Sequence, residues 1–265
     1  MYSKLKTKKL FLLDMDGTIY LDNDLFDGTL DFLEYVRNIG GRYIFMTNNS
    51  SKSVDKYIEK LSGMGIEATA DDFLTSTDAT ILYLNKKNYN KIYAFGTESF
   101  KEQLRKANLP ITDVLEDDID CLCMGFDTEL TFKKLHDVSY LLSTRDIPYI
   151  ATNPDYVCPT EFGSVPDCGS VCDMIYNATK KRPVVIGKPE ALMPILAMKH
   201  TGYKADETAV FGDRIYTDVK SGLNAGVTAV LVLSGETDQK ILLESDVKPD
   251  IVLNNCGEII KILKE

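Results

Sequence analysis

The sequence has few of the features that mark membrane, secreted or nucleic-acid-binding proteins. Its apolar runs, such as VLVL at 230–233, are the length of a strand, whereas a membrane span needs about 20 residues. The apolar stretch near the N-terminus stops after four residues, which is short for a secretory signal. Acidic residues outnumber basic ones by 40 to 30, and the net charge of −10 argues against nucleic acid as a partner. We therefore expect a cytoplasmic protein with neither a membrane nor a nucleic-acid partner.

Histidine is scarce, and the cysteines are not spaced like a metal-binding set. The six cysteines form no C-x-x-C pair, and the two histidines lie in helix-like segments away from them. We weighed a zinc site on Cys158, Cys168 and Cys172 against reduced, buried thiols. Reduced, buried thiols are the interpretation that we favour over a zinc site, because they are the usual state of cysteines in a cytoplasmic protein.

The sequence does contain a regular alternation of strand-like and helix-like segments. KLFLLD at 9–14 is a continuous apolar run, as expected for a strand that is covered on both faces. A predicted helix at 29–40 and a strand at 42–50 follow it, and the alternation continues to a strand at 250–253. This pattern predicts an α/β fold with a Rossmann-like parallel sheet.

Polar and charged side chains stand where four of the predicted strands end. Ligands of open α/β sheets bind at the carboxyl ends of the strands, so these side chains are candidates for one site. They are Asp14 and Asp16 after the first strand, Thr47, Asn48 and Asn49 after the second, Lys188 after a strand at 183–186, and Asp213 and Asp218 after a strand at 207–211.

Each of these groups has a structural interpretation when it is taken alone. Asp-x-Asp-Gly is common in turns, the Thr-Asn-Asn segment fits a capping loop, Asp213 and Asp218 can cap a helix, and Lys188 fits an exposed turn. Two carboxylates as close as Asp14 and Asp16 repel each other unless a cation lies between them or they take part in chemistry. Four strand ends that together suit a metal-bound phosphate favour a functional site.

Four motifs resemble those of the haloacid-dehalogenase-like phosphatases, in the same order and context and over essentially the whole chain. They are DMDGT at 14–18, TNN at 47–49, GKP at 187–189 and GDRIYTD at 212–218. The segments ATNPD at 151–155 and LVLSG at 231–235 also resemble the branch of NagD, the p-nitrophenyl phosphatases and the pyridoxal and phosphoglycolate phosphatases.

The resemblance implies roles for the four aspartates. Asp14 would be the nucleophile that forms an aspartyl-phosphate. Asp16 would protonate the leaving oxygen and then activate the attacking water. Mg²⁺ would be bound by the carboxylates of Asp14 and Asp213 and by the backbone carbonyl of Asp16. Asp218 would orient metal-bound water.

The resemblance also implies a phosphate-binding set and a substrate class. Thr47 and Asn48, with Asn49 beside them, would hold phosphoryl oxygens. Lys188 would pair with the nucleophile and the phosphate. The expected partner is a small phosphorylated metabolite, and Mg²⁺ is the expected cofactor.

The long interval between the second and third motifs is where the NagD-like branch inserts an α/β cap domain. We therefore predict a core at 1–76 and 182–265 and a cap at 77–181. Within the cap, 152–172 is rich in Pro and Gly and carries Tyr156 and Phe162; we expect a long loop that faces the substrate. Branch members often pair through the cap, which leaves a homo-oligomer open.

Three other functions remain open at this point. A phosphotransferase or phosphomutase uses the same aspartyl-phosphate, although the mutases carry their cap after the first motif. A receiver module switched by phosphorylation has a similar acidic pair, but is about half this length. A silent binding protein would not need the full set of motifs.

Overall fold

The first part of the chain begins with a buried strand and alternates strands with helices. The structure, a computed structural model, describes residues 2–160 and 162–264. The first elements are β1 (Leu10–Leu13), β2 (Tyr20–Leu21), β3 (Asp24–Leu25), α1 (Thr29–Asn38), β4 (Arg42–Thr47), α2 (Val54–Gly63), β5 (Phe73–Thr75) and α3 (Ser76–Asn85).

The remaining elements continue the alternation. They are β6 (Ile92–Phe95), α4 (Glu98–Lys106), β7 (Ile111–Thr112), β8 (Cys121–Met124), α5 (Phe132–Thr144), β9 (Tyr149–Ala151), β10 (Val157–Thr160), β11 (Gly163–Pro166), α6 (Cys168–Thr179), β12 (Val184–Val185), α7 (Leu192–Thr201), β13 (Thr208–Gly212), a π-helical turn (Ile215–Val219), α8 (Lys220–Asn224), β14 (Thr228–Val232), α9 (Gln239–Glu244), β15 (Ile251–Leu253) and α10 (Glu258–Lys264). Short 3₁₀ turns cover Tyr2–Thr7, Ala70–Asp72 and Ala205–Glu207.

The described residues divide into two compact units. Unit 1 contains the residues up to Thr47, Val54–Leu74, and the residues from Lys188 onward. Unit 2 contains Asn48–Ser53 and Thr75–Gly187. Each unit has its own sheet.

The sheet of unit 1 places β1 at its centre. Its order is β15-β14-β13-β1-β4-β5, and β1 is parallel to both β13 and β4. All four residues of β1 are buried, which explains its continuous apolar run. Phe11 lies 5.3 Å from the Phe32 ring of α1 and 6.0 Å from the Phe211 ring of β13. This aromatic cluster fixes α1 against one face of the sheet, and each buried ring contributes about 2–3 kcal/mol.

Unit 2 contains a five-stranded sheet of order β12-β9-β8-β6-β7 and a separate hairpin formed by β10 and β11. Neighbouring strands of this sheet are parallel in the pairs β12–β9, β6–β7, β6–β8 and β8–β9. Its core includes Phe95, Leu122 and Met124 from the strands, with Val138 of α5 and Val171 of α6. The predicted α/β class with a Rossmann-like parallel sheet is confirmed.

One local prediction is wrong. The segment 152–172 is not one long loop, since it contains the hairpin and the start of α6. The hairpin was missed because its residues are mostly exposed and carry Pro159 and Pro166, which are tolerated in such an isolated ladder. The helical segment that follows Asp213 is irregular, since it begins as a π-helical turn at Ile215–Val219 and continues as α8.

In the part of the chain that the structure describes, no helix has both the length and the apolar character needed to cross a membrane.

Candidate active site

The ends of three adjacent strands bring the first candidate residues to one edge of the unit 1 sheet. Leu13, the last residue of β1, is in register with Phe45 of β4 and with Phe211 of β13. Asp14 follows Leu13 directly, and its backbone N–H donates to the carbonyl of Phe211 over 2.9 Å. Thr47 ends β4, and Asp213 follows β13. Because the strands are parallel, these residues share the carboxyl edge of the sheet.

Three carboxylates form an acidic cluster at this edge. Oxygen atoms of Asp14, Asp213 and Asp218 all lie within 4.8 Å of one another, and they form the only such group of metal-ligating side chains among residues 2–160 and 162–264. Burial, reinforced by the negative charge of Asp218, raises the pKa of Asp213 to about 7. Burial also raises the pKa of Asp14 well above its usual value; the Lys188 ammonium opposes this, and Asp218 and Asp213 add to it.

The acidic cluster fits a divalent cation. Oδ2 of Asp213 accepts a hydrogen bond of 2.7 Å from the N–H of Glu236. Its Oδ1 is buried and has no hydrogen-bond partner among the described residues. A buried carboxylate oxygen without a partner is costly, and a hard cation bound by carboxylates would satisfy it. The alternative zinc site on Cys158, Cys168 and Cys172 is not formed, since the described residues contain no cluster of these thiols close enough for a metal.

Lys188 supplies the positive charge beside the acidic cluster. Its Nζ lies 2.5 Å from Oδ1 of Asp14 and 2.5 Å from Oδ1 of Asp218, and it donates to the carbonyl of Met46 over 3.0 Å. The side chain is only 3% exposed. Burial lowers the pKa of Lys188, but the two carboxylates outweigh burial and raise it above the ordinary value. The ammonium therefore stays charged at neutral pH.

Two glycines pack directly against the carboxylate of Asp213. A Cβ atom added to Gly17 would lie 2.5 Å from Oδ2 of Asp213, and one added to Gly235 would lie 2.1 Å from it. Gly17 also has a φ of +84°, which other residues rarely adopt. Gly235 ends the LVLSG segment, where the hydroxyl of Ser234 donates to the carbonyl of Gly17 over 2.7 Å. The LVLSG motif alone gave no indication of this packing against Asp213.

The π-helical turn positions Asp218. The carboxylate of Asp218 accepts a hydrogen bond of 3.0 Å from the N–H of Arg214, and the N–H of Asp218 donates to the carbonyl of Arg214 over 2.9 Å. π-helical turns occur frequently at functional sites. Here the turn keeps Asp218 almost fully buried and within reach of Lys188.

The side chains of Asn48 and Asn49 have partners inside unit 2. The amide of Asn48 donates to Asp155 over 2.9 Å, and Asp155 also accepts a 3.0 Å bond from Asn153. The side-chain oxygen of Asn49 accepts bonds from the N–H and hydroxyl of Ser51 over 2.9 and 2.7 Å. Asp155 lies in the ATNPD segment, but nothing in that motif indicated its pairing with Asn48.

The predicted site residues of unit 1 thus divide into a central group and a peripheral one. The central group is the acidic cluster of Asp14, Asp213 and Asp218 together with Lys188, which forms ion pairs with Asp14 and Asp218. Asp16 is not part of the acidic cluster, and its side chain is 55% exposed.

Comparison with known proteins identifies the class. A family model described as haloacid dehalogenase-like hydrolase matches residues 11–110, and one described as HAD-hydrolase-like matches residues 185–259. The chain belongs to the haloacid dehalogenase-like (HAD) hydrolases, in the branch of NagD and the p-nitrophenyl phosphatases. It is a phosphatase of that family.

Individual relatives match over nearly the full length. The chain is 32% identical over 262 residues to an acid sugar phosphatase of Staphylococcus haemolyticus, covering 98% of each chain. Its structure is similar to that of a 4-nitrophenylphosphatase from Thermotoga maritima, with a TM-score of 0.92, 38% identity, and coverage of 98% and 99%. A glycerol phosphate phosphatase from Mycobacterium tuberculosis in complex with calcium gives a TM-score of 0.89 at 25% identity, with coverage of 97% and 76%.

Proposed function

We propose that this phosphatase is Mg²⁺-dependent and hydrolyses small phosphomonoesters, such as sugar phosphates or nucleotides, through an aspartyl-phosphate on Asp14. The observation that carries the proposal is the acidic cluster of Asp14, Asp213 and Asp218, with the Lys188 ammonium paired to Asp14 and Asp218. The name of the acid sugar phosphatase relative supports a sugar phosphate as one substrate.

The reaction proceeds in two displacements at phosphorus. A carboxylate oxygen of Asp14 attacks the phosphorus, the ester P–O bond breaks, and Asp16 donates a proton to the leaving oxygen. A water then attacks the same phosphorus, the bond to Asp14 breaks, and Asp16 takes the proton from that water. Phosphate leaves, and both carboxyl groups return to their starting states.

Positive groups in the site would lower the repulsion between the Asp14 carboxylate and the negatively charged phosphate ester. The carboxylates of Asp14 and Asp213 and the backbone carbonyl of Asp16 would hold Mg²⁺, which would neutralise negative charge there, and Asp218 would orient nearby water. Lys188 already contacts Asp14 and would also bind a phosphoryl oxygen.

Neutral donors complete the proposed phosphate site. The hydroxyl of Thr47 and the backbone N–H groups at Asn48 and Asn49 would hold the remaining phosphoryl oxygens. The protein as a whole carries a charge of −10, so a phosphate site must be built from such local groups.

We also propose that unit 2 acts as the cap that selects among substrates. Its hairpin region exposes two aromatic side chains, Tyr156 at 55% and Phe162 at 82%. A small organic phosphate would offer these two rings an apolar or ring face to pack against. None of the six cysteines forms a disulfide among the described residues, which agrees with the proposed cytoplasmic location.

Phosphate release from a panel of phosphometabolites, with Mg²⁺ or EDTA, tests the proposal. Asp14→Asn should lower turnover on the order of 10⁴-fold, because it removes the attacking oxyanion. Asp31→Asn, which changes an exposed carboxylate on α1, is the matched control and should behave as wild type. A tenth of wild-type activity in Asp14→Asn would rule out the nucleophile. Phosphate transfer to sugar hydroxyls without release would favour a phosphotransferase.

A further inference from the structure

Asp16 is held by two side chains that the catalytic motifs do not include. Its Oδ2 accepts a hydrogen bond of 3.3 Å from the hydroxyl of Tyr20. Its Oδ1 lies 3.6 Å from the ammonium of Lys60. The same ammonium lies 3.8 Å from the centre of the Tyr20 ring. Asp16, Tyr20 and Lys60 therefore form a closed set of three contacts, which we call the Asp16 cluster.

The two partners are anchored, whereas Asp16 itself is exposed. Tyr20 is completely buried, and a 2.8 Å bond from the N–H of Gly17 to its carbonyl closes the turn that carries Asp16. Lys60 extends from α2, whose Tyr57 and Leu61 are buried in the core of unit 1. Burial, with the nearby Asp16 charge, raises the pKa of Tyr20, so its hydroxyl remains a donor at neutral pH.

An exposed carboxylate on its own samples several rotamers. A proton-transfer group must instead lie within hydrogen-bond reach of the atom that it serves, and a displacement of 1 Å can cost about 10²-fold in rate. The cation–π contact keeps Lys60 over the Tyr20 ring, so the two side chains present one hydrogen-bond donor and one positive charge to Asp16 in a fixed arrangement.

We propose that Lys60 and Tyr20 are positioning residues that hold the Asp16 carboxylate for proton transfer. This inference rests on the proposed phosphatase mechanism, and it adds two residues, 40 positions apart in sequence, to the machinery of that reaction. Neither residue touches the substrate in this proposal; both act through Asp16.

The proposal predicts a dependence on the leaving group. Departure of p-nitrophenolate needs little protonation, whereas departure of an alkoxide needs the acid in place. Lys60→Met keeps an apolar side chain over the ring and removes the ammonium. It should lower kcat/KM for alkyl phosphates by roughly 10- to 100-fold, and that for p-nitrophenyl phosphate by less than about threefold. Lys60→Arg should restore most of the loss.

Two further variants separate positioning from general damage. Tyr20→Phe removes only the hydroxyl and should change the leaving-group profile in the same direction. Lys56→Met is the matched control on α2, because Lys56 is 70% exposed and pairs with Glu59; its profile should equal that of wild type. Thermal melting of each variant checks that the fold is retained.

A double variant provides the decisive measurement. In an Asp16→Asn background, Lys60→Met should cause no further loss of residual alkyl phosphate turnover, because the group that it positions is gone. An additive loss there, an equal loss for all leaving groups, or faster alkyl phosphate turnover in Lys60→Met would overturn the inference.

Failure of this inference is distinguishable from failure of the proposed function. If Asp14→Asn is inactive while Lys60→Met matches wild type across the series, only the positioning role is wrong. If Asp14→Asn remains active, the mechanism itself is wrong.

Discussion

Replacing Lys188 by methionine should destabilise the metal-free protein strongly. At an effective dielectric constant of about 20, each ion pair at 2.5 Å attracts by roughly 6–7 kcal/mol. Desolvation of the buried ions offsets much of this attraction, and breaking such a buried pair costs about 3–5 kcal/mol. Lys188→Met should therefore lose about 3–5 kcal/mol in its free energy of unfolding, or roughly 10 °C in melting temperature.

The loss should depend on pH and on metal. Asp14 already has a raised pKa, and removal of the ammonium raises it further. When the pKa of a carboxyl group is higher in the folded state than in the unfolded state, the free energy of unfolding falls as the pH rises from the unfolded-state pKa to the folded-state pKa. The penalty of Lys188→Met should therefore be larger at pH 8 than at pH 5, and saturating Mg²⁺ should reduce it by neutralising the same carboxylates.

Urea denaturation in EDTA at several pH values measures this penalty. The exposed Lys199 of α7 provides the control variant Lys199→Met, which should stay within about 0.5 kcal/mol of wild type. Adding Asp14→Asn to Lys188→Met should recover part of the loss, because one buried anion is removed. A loss below about 1 kcal/mol at pH 8 in EDTA would refute the reasoning, since the ion pairs would then contribute little.

Three further predictions concern the metal, its surroundings and the cap. EDTA should abolish activity and Mg²⁺ restore it, while Ca²⁺ should bind and inhibit because its larger, looser shell misplaces the ligands; full turnover in excess chelator would exclude a metal requirement. Gly235→Ala should weaken Mg²⁺ binding, measured by titration calorimetry, at least about tenfold, because the added Cβ would lie 2.1 Å from Asp213. The control Gly63→Ala adds its Cβ in open space and should bind Mg²⁺ as wild type does. Tyr156→Ala and Phe162→Ala should reorder the substrate preference of a metabolite panel without changing metal dependence; an unchanged profile would place selectivity elsewhere.

Residues at the ends of strands were predictable, because the carboxyl ends of parallel strands lie at the same edge of the sheet. Asp14 and Asp213 each follow an apolar strand of the unit 1 sheet, and the register of β1 with β13 brings them to one edge. Lys188 instead follows β12, a strand of the unit 2 sheet, so this rule does not account for its position beside them. Asp218 was also predicted, but the π-helical turn that positions it was not, since its hydrogen-bond pattern leaves no periodic signal.

Long-range side-chain pairs were beyond sequence reasoning. The contact of Lys60 with Asp16 joins α2 to the turn after β1, and that of Asn48 with Asp155 spans 107 positions. Neither pair belongs to a local motif, because each depends on how the elements pack. The hairpin of β10 and β11 was missed for a related reason, since an isolated exposed ladder buries too little apolar surface to impose a pattern.

The order of segments in unit 1 has a consequence for how the chain folds during synthesis. The central strand β1 leaves the ribosome early, but its neighbour β13 begins only at Thr208, after almost the whole of unit 2 has emerged. Domains generally fold as units in the order of synthesis, so we expect unit 2 to be compact while β1 still lacks one neighbour. At that stage the sheet around Asp14 is incomplete, because Lys188, Asp213 and Asp218 have not yet joined it. Truncated or nascent chains that end before these residues should therefore be unable to bind the metal, which limits phosphatase activity to the fully synthesised sheet.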